Sequence, residues 1–243
     1  MKIALLGYGK MGKEIEQIAI QRNHQIVLKT TTLSAAALTP AALKGIDAAI
    51  EFSAPASAYT LIQTCFQANI PVVSGTTGWL AQLDEIKTAC LMTGNTFFYA
   101  SNYSIGVNIF FEVNRSLARL MNKYESYEPG LEEIHHQYKK DAPSGTAITL
   151  AEDMLAEISR KKNWIEGISA EKSVIQIHSI RQGQVPGTHK VRYESDIDDI
   201  EITHTAHNRK GFALGAVLAA EWIPGKKGVF GMNDMLGFDR TRP

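Results

Sequence analysis

The stretch that decides the fold is KIALLGYGKMG, residues 2–12. An apolar run over residues 3–6 predicts a buried strand, and apolar residues at helical spacing follow from Met11 onward. Gly7, Gly9 and Gly12 stand between them in the spacing G-x-G-x-x-G. Glycines so spaced permit a tight turn and close approach to a pyrophosphate, which helix N–H groups then bind. The order strand, glycine loop, helix predicts a dinucleotide site; the alternative is a tight turn without a ligand.

The first hundred residues alternate short apolar runs with helical patterns, and this alternation predicts βαβ units. The runs are apolar on both faces, as in a parallel sheet covered by helices on its two sides. The predicted strands are residues 2–6, 25–29, 47–53, 70–75 and 96–101. We therefore expect an α/β domain with a Rossmann-type, doubly wound parallel sheet.

The pattern changes after about residue 105, where strands and helices no longer alternate. The predicted elements are helices over 107–122, 146–161 and 212–223 and strands over 131–137, 173–183, 189–195 and 199–206. The last three strands follow one another without a helix, which predicts that they run antiparallel. We expect a second, α+β domain built on a mixed or antiparallel sheet.

Composition excludes several classes of function. The 243 residues include 25 Lys plus Arg and 25 Asp plus Glu, so no global field attracts nucleic acid or an anionic membrane. No apolar run reaches the roughly 18–20 residues that span a bilayer, and the run at 3–6 is too short for a signal peptide. Cys65 and Cys90 are isolated cysteines, which indicates a reduced, cytoplasmic protein.

The segment KTTTLS, residues 29–34, stands where a dinucleotide site usually has an Asp or Glu for the ribose hydroxyls. Here Lys29 takes that place, and hydroxyl residues follow it: Thr30, Thr31, Thr32 and Ser34. A lysine among hydroxyls suits a 2′-phosphate and therefore favours NADPH. The alternative is a solvated loop without a role.

Two further loops follow the fourth and fifth predicted strands, SGTTGW at 74–79 and ASNYSIGVN at 100–108. Ligands of open α/β sheets bind at the carboxyl ends of the strands. Because both loops are rich in hydroxyls, amides and small residues, we expect them to bind the nicotinamide ribose and carboxamide. Ordinary turn chemistry is the alternative.

The segment EIHHQYKKDAPSGTA, residues 133–147, is the strongest candidate for catalysis. His135 supplies an imidazole, the side chain most often used to move a proton, and Lys139 adds a cation nearby. Ser144 or Thr146 caps the next helix, whose N-terminal N–H groups, at Gly145 and Thr146, can bind an anion. The group suits a small substrate with carboxylates; the alternative is a set of satisfied polar residues in a solvated turn.

Metal and cysteine chemistry find little support in the sequence. His204 and His207 add two candidate ligands, but no cluster of carboxylates or cysteines completes a recognisable site, so we expect no metal. Cys65 and Cys90 fall on apolar helix stripes, where cysteine usually belongs to the core.

EIHHQYKKDAPSGTA resembles the signature E-[LI]-H-H-x-x-K-x-D-A-P-S-G-T-A of the bacterial dihydrodipicolinate reductase (4-hydroxy-tetrahydrodipicolinate reductase) family of lysine biosynthesis. Every fixed position of the signature is present, and the resemblance spans essentially the whole chain. GYGKMG, SGTTG and ASNYSIGVN resemble the family's cofactor loops, while SIRQGQVPGTHKV and HTAHNRKGFALGAVLAAEW resemble its substrate-domain strands and return helix.

The resemblance implies an enzyme that transfers hydride from NAD(P)H to C4 of a dehydrated cyclic dicarboxylate, giving tetrahydrodipicolinate. It implies that His135 is the general acid/base, that Lys139 donates a proton and stabilises charge, and that His136, Ser144, Gly145 and Thr146 bind the substrate carboxylates. The cofactor-binding residues expected from the loops and the resemblance together are Gly7, Tyr8, Gly9, Lys10, Met11, Gly12, Lys29, Gly75, Thr76, Thr77, Ala100, Ser101, Asn102 and Tyr103.

The family uses both NADH and NADPH, but KTTTLS lacks the family's usual acidic residue, and residues 30–46 form a short segment for the family. The resemblance further implies a homotetramer formed through the second sheet. Residues 1–105 with 216–243 are expected to form the dinucleotide-binding domain, and 106–215 the substrate-binding and oligomerisation domain. Two alternatives stay open: a related dehydrogenase acting on an amino dicarboxylate, and a non-catalytic dinucleotide-binding redox sensor.

Overall fold

A computed structural model describes residues 1–31, 34–208 and 210–238. Its β-strands, in chain order, are β1 Lys2–Leu6, β2 Gln25–Thr30, β3 Ala48–Glu51, β4 Val72–Ser74, β5 Thr96–Tyr99, β6 Glu128–His135, β7 Asn163–Glu166, β8 Val174–Arg181, β9 Thr188–Glu194, β10 Asp199–Thr205 and β11 Gly228–Phe230. Its α-helices are α1 Lys10–Gln21, α2 Pro55–Gln67, α3 Leu83–Thr93, α4 Ile105–Met121, α5 Gly145–Glu157, α6 Lys210–Trp222 and α7 Met232–Leu236.

The chain divides into two compact units. The first comprises Met1–Ile105 and the chain from Lys210 onward, and the second comprises the intervening residues. The second boundary therefore lies at residue 210, not at 216 as expected. Helix α6 explains the difference, because it packs on α1, β3 and β4 of the first unit as a whole.

The first unit is built on a parallel sheet with the strand order β11-β5-β4-β3-β1-β2. Strand β1 shows why helices cover both faces, since its side chains alternate between two cores. Ile3 and Leu5 pack in one core with α1 and α6, and Ala4 and Leu6 pack in the other with α2 and α3. The predicted doubly wound α/β fold is confirmed, with β11 as an additional edge strand.

The second unit is built on a mixed sheet with the strand order β10-β9-β6-β8-β7. Strand β6 runs parallel to β8 and antiparallel to β9, and it lies between them. Strands β8 and β9 therefore run antiparallel, as expected, but with β6 between them, whereas β9 and β10 pair directly. Helices α4 and α5 bury one face of the sheet. Sequence patterns also missed the short strands β7 and β11.

No helix among the described residues combines the length and the apolar character that a membrane span requires.

Candidate functional site

The glycine loop of the first unit joins β1 to α1 in the predicted order. Gly7 has φ +107°, and a Cβ there would lie 2.1 Å from the Phe52 carbonyl oxygen. A Cβ at Gly12 would lie 2.3 Å from the Gly7 carbonyl oxygen, so both positions require glycine. At Gly9 a Cβ would meet no atom within 4 Å, and this open space lies where the loop turns into the helix.

The N-terminus of α1 suits a phosphate group. Gly9 is the N-cap and makes no side-chain cap hydrogen bond, so the N–H groups of Lys10, Met11 and Gly12 lack intrahelical acceptors. A cavity of about 160 Å³ lies beside this loop; its lining residues are Gly7, Tyr8, Gly9, Thr31, Ala35, Phe52, Ser53, Ala54 and Ser57. Backbone donors, a positive helix end and free space together fit the pyrophosphate of a dinucleotide.

Lys29 lies at the glycine loop but is already paired. Its ammonium is 2.5 Å from Glu16 and 4.5 Å from the centre of the Tyr8 ring, and the Tyr8 hydroxyl also donates to Glu16. The hydrogen bond from Lys29 lowers the pKa of Glu16 and raises that of Lys29. Binding of a 2′-phosphate by Lys29 therefore stays a prediction, and Thr32 lies outside the described residues.

The loops after β4 and β5 line up at the carboxyl end of the parallel sheet. Thr76 is buried and its hydroxyl donates to Glu51, while Thr77 is exposed. A Cβ at Gly75 would lie 2.2 Å from the Phe52 ring, which explains the glycine.

The ASNY segment has a buried and an exposed part. Tyr103 is buried, and its hydroxyl donates to the Ser74 carbonyl at 2.7 Å, so this side chain supports the neighbouring loop from behind. Ala100 is also buried, Ser101 is exposed, and the Asn102 side chain accepts from the Ser104 N–H at 2.9 Å. Direct contact of these residues with a cofactor stays a prediction.

The second unit gathers a charged cluster around Glu133, on the central strand β6. Residues two apart on a strand share a face, so Glu133 and His135 both point towards the buried side. Oε2 of Glu133 lies 3.1 Å from Nδ1 of His135, and Oε1 accepts from Arg181 at 2.9 Å and from the Ser144 N–H at 3.0 Å. Burial opposes ionisation of Glu133, but contacts with His135, Ser144 and Arg181 hold its pKa well below the usual range.

His189, on β9, completes this cluster. Its Nε2 lies 3.1 Å from the Ser144 hydroxyl and 3.8 Å from Oε2 of Glu133. Burial, and then the neighbouring His135, lower the pKa of His189 to about 4. This imidazole is therefore neutral at pH 7, unlike an exposed histidine near its pKa.

The helix start beside the cluster has the predicted anion-binding form. Ser144 is the N-cap of α5, and its hydroxyl accepts from the Ala147 N–H at 3.2 Å. The N–H groups of Gly145 and Thr146 therefore have no acceptor within the helix.

Lys139 and His136 lie in the turn after β6. The Lys139 ammonium bonds both carboxylate oxygens of Asp141, at 2.8 and 2.6 Å, which lowers the pKa of Asp141. The His136 ring lies 6.5 Å from the Tyr138 ring, between centroids. Strand β6 ends at His135, two residues before the end of the predicted strand, so His136 lies outside the strand.

Three side chains of the cluster are also of metal-ligand type. Single ligand atoms of Glu133, His135 and His189 lie within 4.8 Å of one another. Arg181 forms an ion pair with the Glu133 carboxylate, so a side chain of the protein already balances the negative charge of these three residues. His204 and His207, the ligands considered from the sequence, do not belong to it.

Sequence patterns missed four polar residues of these sites. The sequence could have indicated Glu133, because side chains two positions apart on a strand share a face and Glu133 is two positions from His135. It could also have indicated Glu51, since a carboxylate ends an apolar run. Arg181 and His189 had no signal in the sequence. Strand register places them in the cluster, with Arg181 opposite His135 and His189 opposite Glu133.

Comparison with known proteins gives a consistent family match. The family description "Dihydrodipicolinate reductase, N-terminus" matches residues 1–103, and "Dihydrodipicolinate reductase, C-terminus" matches residues 106–236. The 4-hydroxy-tetrahydrodipicolinate reductase of Christiangramia forsetii is 51% identical over 237 residues, 97% of this chain and 98% of the relative. The protein of the same name from Akkermansia muciniphila is 37% identical, covering 96% of each chain.

Solved structures agree on the fold. Dipicolinate-bound dihydrodipicolinate reductase from Paenisporosarcina sp. TG-14 superposes with a TM-score of 0.74 at 20% identity, over 96% of this chain and 98% of that one. Amine dehydrogenase from Mycobacterium smegmatis gives a TM-score of 0.53 at 11% identity, covering 94% of each chain.

Proposed function

The chain belongs to the dihydrodipicolinate reductase family, and we propose that His135 and Lys139 supply the protons with which it reduces 4-hydroxy-tetrahydrodipicolinate to tetrahydrodipicolinate in lysine and diaminopimelate biosynthesis. NAD(P)H, when bound, supplies the hydride. The observation that supports the residue roles is the contact between Glu133 and Nδ1 of His135 beside the start of α5.

His135 is oriented for proton transfer at its other nitrogen. Glu133 lies against Nδ1, which leaves Nε2 for the reacting ring. A Cβ at position 187 would come within 3.0 Å of Nε2, so Gly187 keeps space beside that atom. The 4-hydroxyl group leaves as water, which gives the dehydrated ring. Addition of a hydride to C4 of that ring must be balanced by a proton, and we assign its delivery to His135.

The substrate carboxylates are assigned to the helix start and the turn before it. The N–H groups of Gly145 and Thr146, together with Ser144 and His136, provide donors for one or both carboxylates. Lys139 provides a cation that stabilises charge in the transition state and donates a proton. Its partner Asp141 is exposed and holds the ammonium in the turn until substrate binds.

The test of these roles is NAD(P)H oxidation at 340 nm with enzymatically generated substrate. We expect His135→Ala and Lys139→Ala each to lower kcat/KM by at least ~10²-fold, the usual scale for a general acid or base. Lys140→Ala is the matched control, because this neighbouring lysine is exposed. Undiminished turnover in both variants would contradict the roles, and dinucleotide binding without any turnover by the wild type would favour a redox sensor.

We further propose that the enzyme accepts NADPH. The described residues that line the cavity beside the glycine loop include no Asp or Glu to repel a 2′-phosphate. Lys29→Glu is expected to lower the ratio of kcat/KM for NADPH to kcat/KM for NADH about fivefold. A change of this size corresponds to the loss of about one charge-assisted contact. An unchanged ratio would show that Lys29 acts only through Glu16 and Tyr8.

Assembly and location complete the proposal. We infer a homotetramer formed through the uncovered face of the mixed sheet, where a groove of about 290 Å³ runs over β6, β8 and β9. Light scattering at four times the monomer mass supports this assembly, and a monomer contradicts it. We also infer a cytoplasmic location, because Cys65 and Cys90 are unpaired and buried; cell fractionation tests it.

A further inference from the structure

A second buried carboxylate, Glu51, lies at the carboxyl end of β3 in the first unit. Its side chain is fully buried, and in the sheet it stands between Leu6 on β1 and Ser74 on β4. The proposed reaction gives this residue no role. A buried carboxylate without partners is costly, so its surroundings need an explanation.

Hydroxyl groups solvate Glu51 in place of a cation. Oε1 accepts from the Ser53 hydroxyl at 2.5 Å, from the Thr76 hydroxyl at 2.6 Å and from the Ser53 N–H at 2.9 Å. Oε2 accepts from the Ser74 hydroxyl at 2.6 Å. Within the described ranges, no Lys, Arg or His nitrogen forms an ion pair with Glu51.

This arrangement fixes the direction of the hydroxyl protons. An ionised carboxylate only accepts, and each hydroxyl has one proton, so Ser53 and Thr76 must donate inwards. The other acceptor near the Ser53 hydroxyl, the Ala54 carbonyl, is more distant at 3.4 Å. Thr76 in turn accepts from the Ser53 N–H at 2.8 Å. What remains on the Ser53 hydroxyl is lone pairs, and Ser53 lines the cavity beside the glycine loop.

We propose that Glu51 is a positioning residue for the cofactor: it turns the Ser53 hydroxyl, at the cavity, into an acceptor for the donor groups of the nicotinamide half, which are its ribose hydroxyls and its carboxamide. The proposal rests on the proposed NAD(P)H-dependent function. A leucine at this position removes both acceptor oxygens and leaves the Ser53 hydroxyl free to turn round. A glutamine can keep its amide oxygen where Oε1 accepts from Ser53, so that only the Ser74 hydroxyl meets the amide nitrogen and turns.

The test compares Glu51→Leu and Glu51→Gln in the full chain by fluorescence titration with NADPH and with 2′,5′-ADP, which lacks the nicotinamide half. We expect Glu51→Leu to raise the Kd for NADPH about tenfold, the effect of one or two lost hydrogen bonds, and to leave the Kd for 2′,5′-ADP within about twofold. Glu51→Gln keeps an acceptor for the Ser53 hydroxyl and is expected to stay within about threefold for both ligands. In steady-state kinetics of Glu51→Leu, KM for NADPH is expected to rise with kcat nearly unchanged.

Two outcomes would overturn the proposal. Unchanged NADPH affinity in Glu51→Leu would show that hydroxyl direction does not matter, and an equal loss for both ligands would show a structural role only. If Glu51→Leu does not fold, Ser53→Ala takes its place, because it removes the acceptor at the cavity and is expected to show the same selective loss. Binding requires no substrate, so absence of turnover by the wild type would contradict the proposed function and leave this measurement valid.

Discussion

Two buried glutamates, one in each unit, have the same side chain and the same full burial but different neighbours. Glu133 contacts the Arg181 guanidinium and the His135 imidazole, and Glu51 is bonded by three hydroxyls and one N–H group. The Arg181 cation balances the charge of Glu133 within the group to which we assign proton transfer. The hydroxyls make Glu51 a group that sets the direction of hydrogen bonds. Neighbours, and not burial, therefore decide what a buried carboxylate does.

The largest effect is expected for Glu133→Gln. The neutral amide leaves the partly buried Arg181 charge unpaired, which is expected to lower the free energy of unfolding by about 3 kcal/mol. It also removes the group that orients His135, so kcat is expected to fall by ~10². Urea denaturation and steady-state kinetics measure the two quantities.

Glu132→Gln is the matched control for this substitution, since the preceding residue points to the opposite face. Among the described residues its one ion-pair partner is Lys190, at 3.7 Å. We expect a change below about 0.5 kcal/mol there. If Glu132→Gln and Glu133→Gln lowered stability and kcat equally, the contacts of Glu133 with Arg181 and His135 would not explain the effect.

The next effect concerns pH and sharpens the charged side of the comparison. The folded pKa of His189, about 4, lies below its usual 6.5, so the unfolded chain binds the proton first as pH falls. Stability is therefore lost between about pH 6.5 and 4, and this residue accounts for about 2 kcal/mol between pH 7 and 5. In His189→Gln, the urea midpoint should depend less on pH across this range than in the wild type. In His207→Gln, which changes an exposed histidine, it should depend on pH as strongly as in the wild type. Parallel profiles for His189→Gln and wild type would contradict the prediction.

The smallest effect on stability is expected for Glu51→Gln. No cation loses its partner, and the amide oxygen still accepts from a hydroxyl, so the free energy of unfolding should fall by only about 1 kcal/mol. The same urea titration used for Glu133→Gln measures it. If Glu51→Gln lowered the free energy of unfolding as much as Glu133→Gln, the hydroxyl groups around Glu51 would depend on its charge as strongly as Arg181 depends on Glu133. The contrast between the two sites would then be wrong.

Much of this molecule could be predicted from local patterns. The spacing of Gly7, Gly9 and Gly12 could be recognised because the three glycines lie within six residues of one another. Gly12 is required by a contact inside the loop, with the Gly7 carbonyl oxygen, whereas Gly7 is required by the distant Phe52 carbonyl oxygen. The alternation of apolar runs with helical patterns was sufficient to predict the parallel sheet. The Ser144 cap at the start of α5 was also readable, because capping is a contact between residues three positions apart.

Sequence alone determined the fold class, the glycine loop and the segment that contains His135 and Lys139, because their signals lie in neighbouring residues. Tertiary structure alone decided that Arg181 and His189 meet Glu133, that β6 separates β8 from β9, and that Ser53, Ser74 and Thr76 surround Glu51. The physical reason is that strand order and register bring distant residues side by side, and a hydrophobic pattern specifies which face a strand buries but not which strand lies next to it.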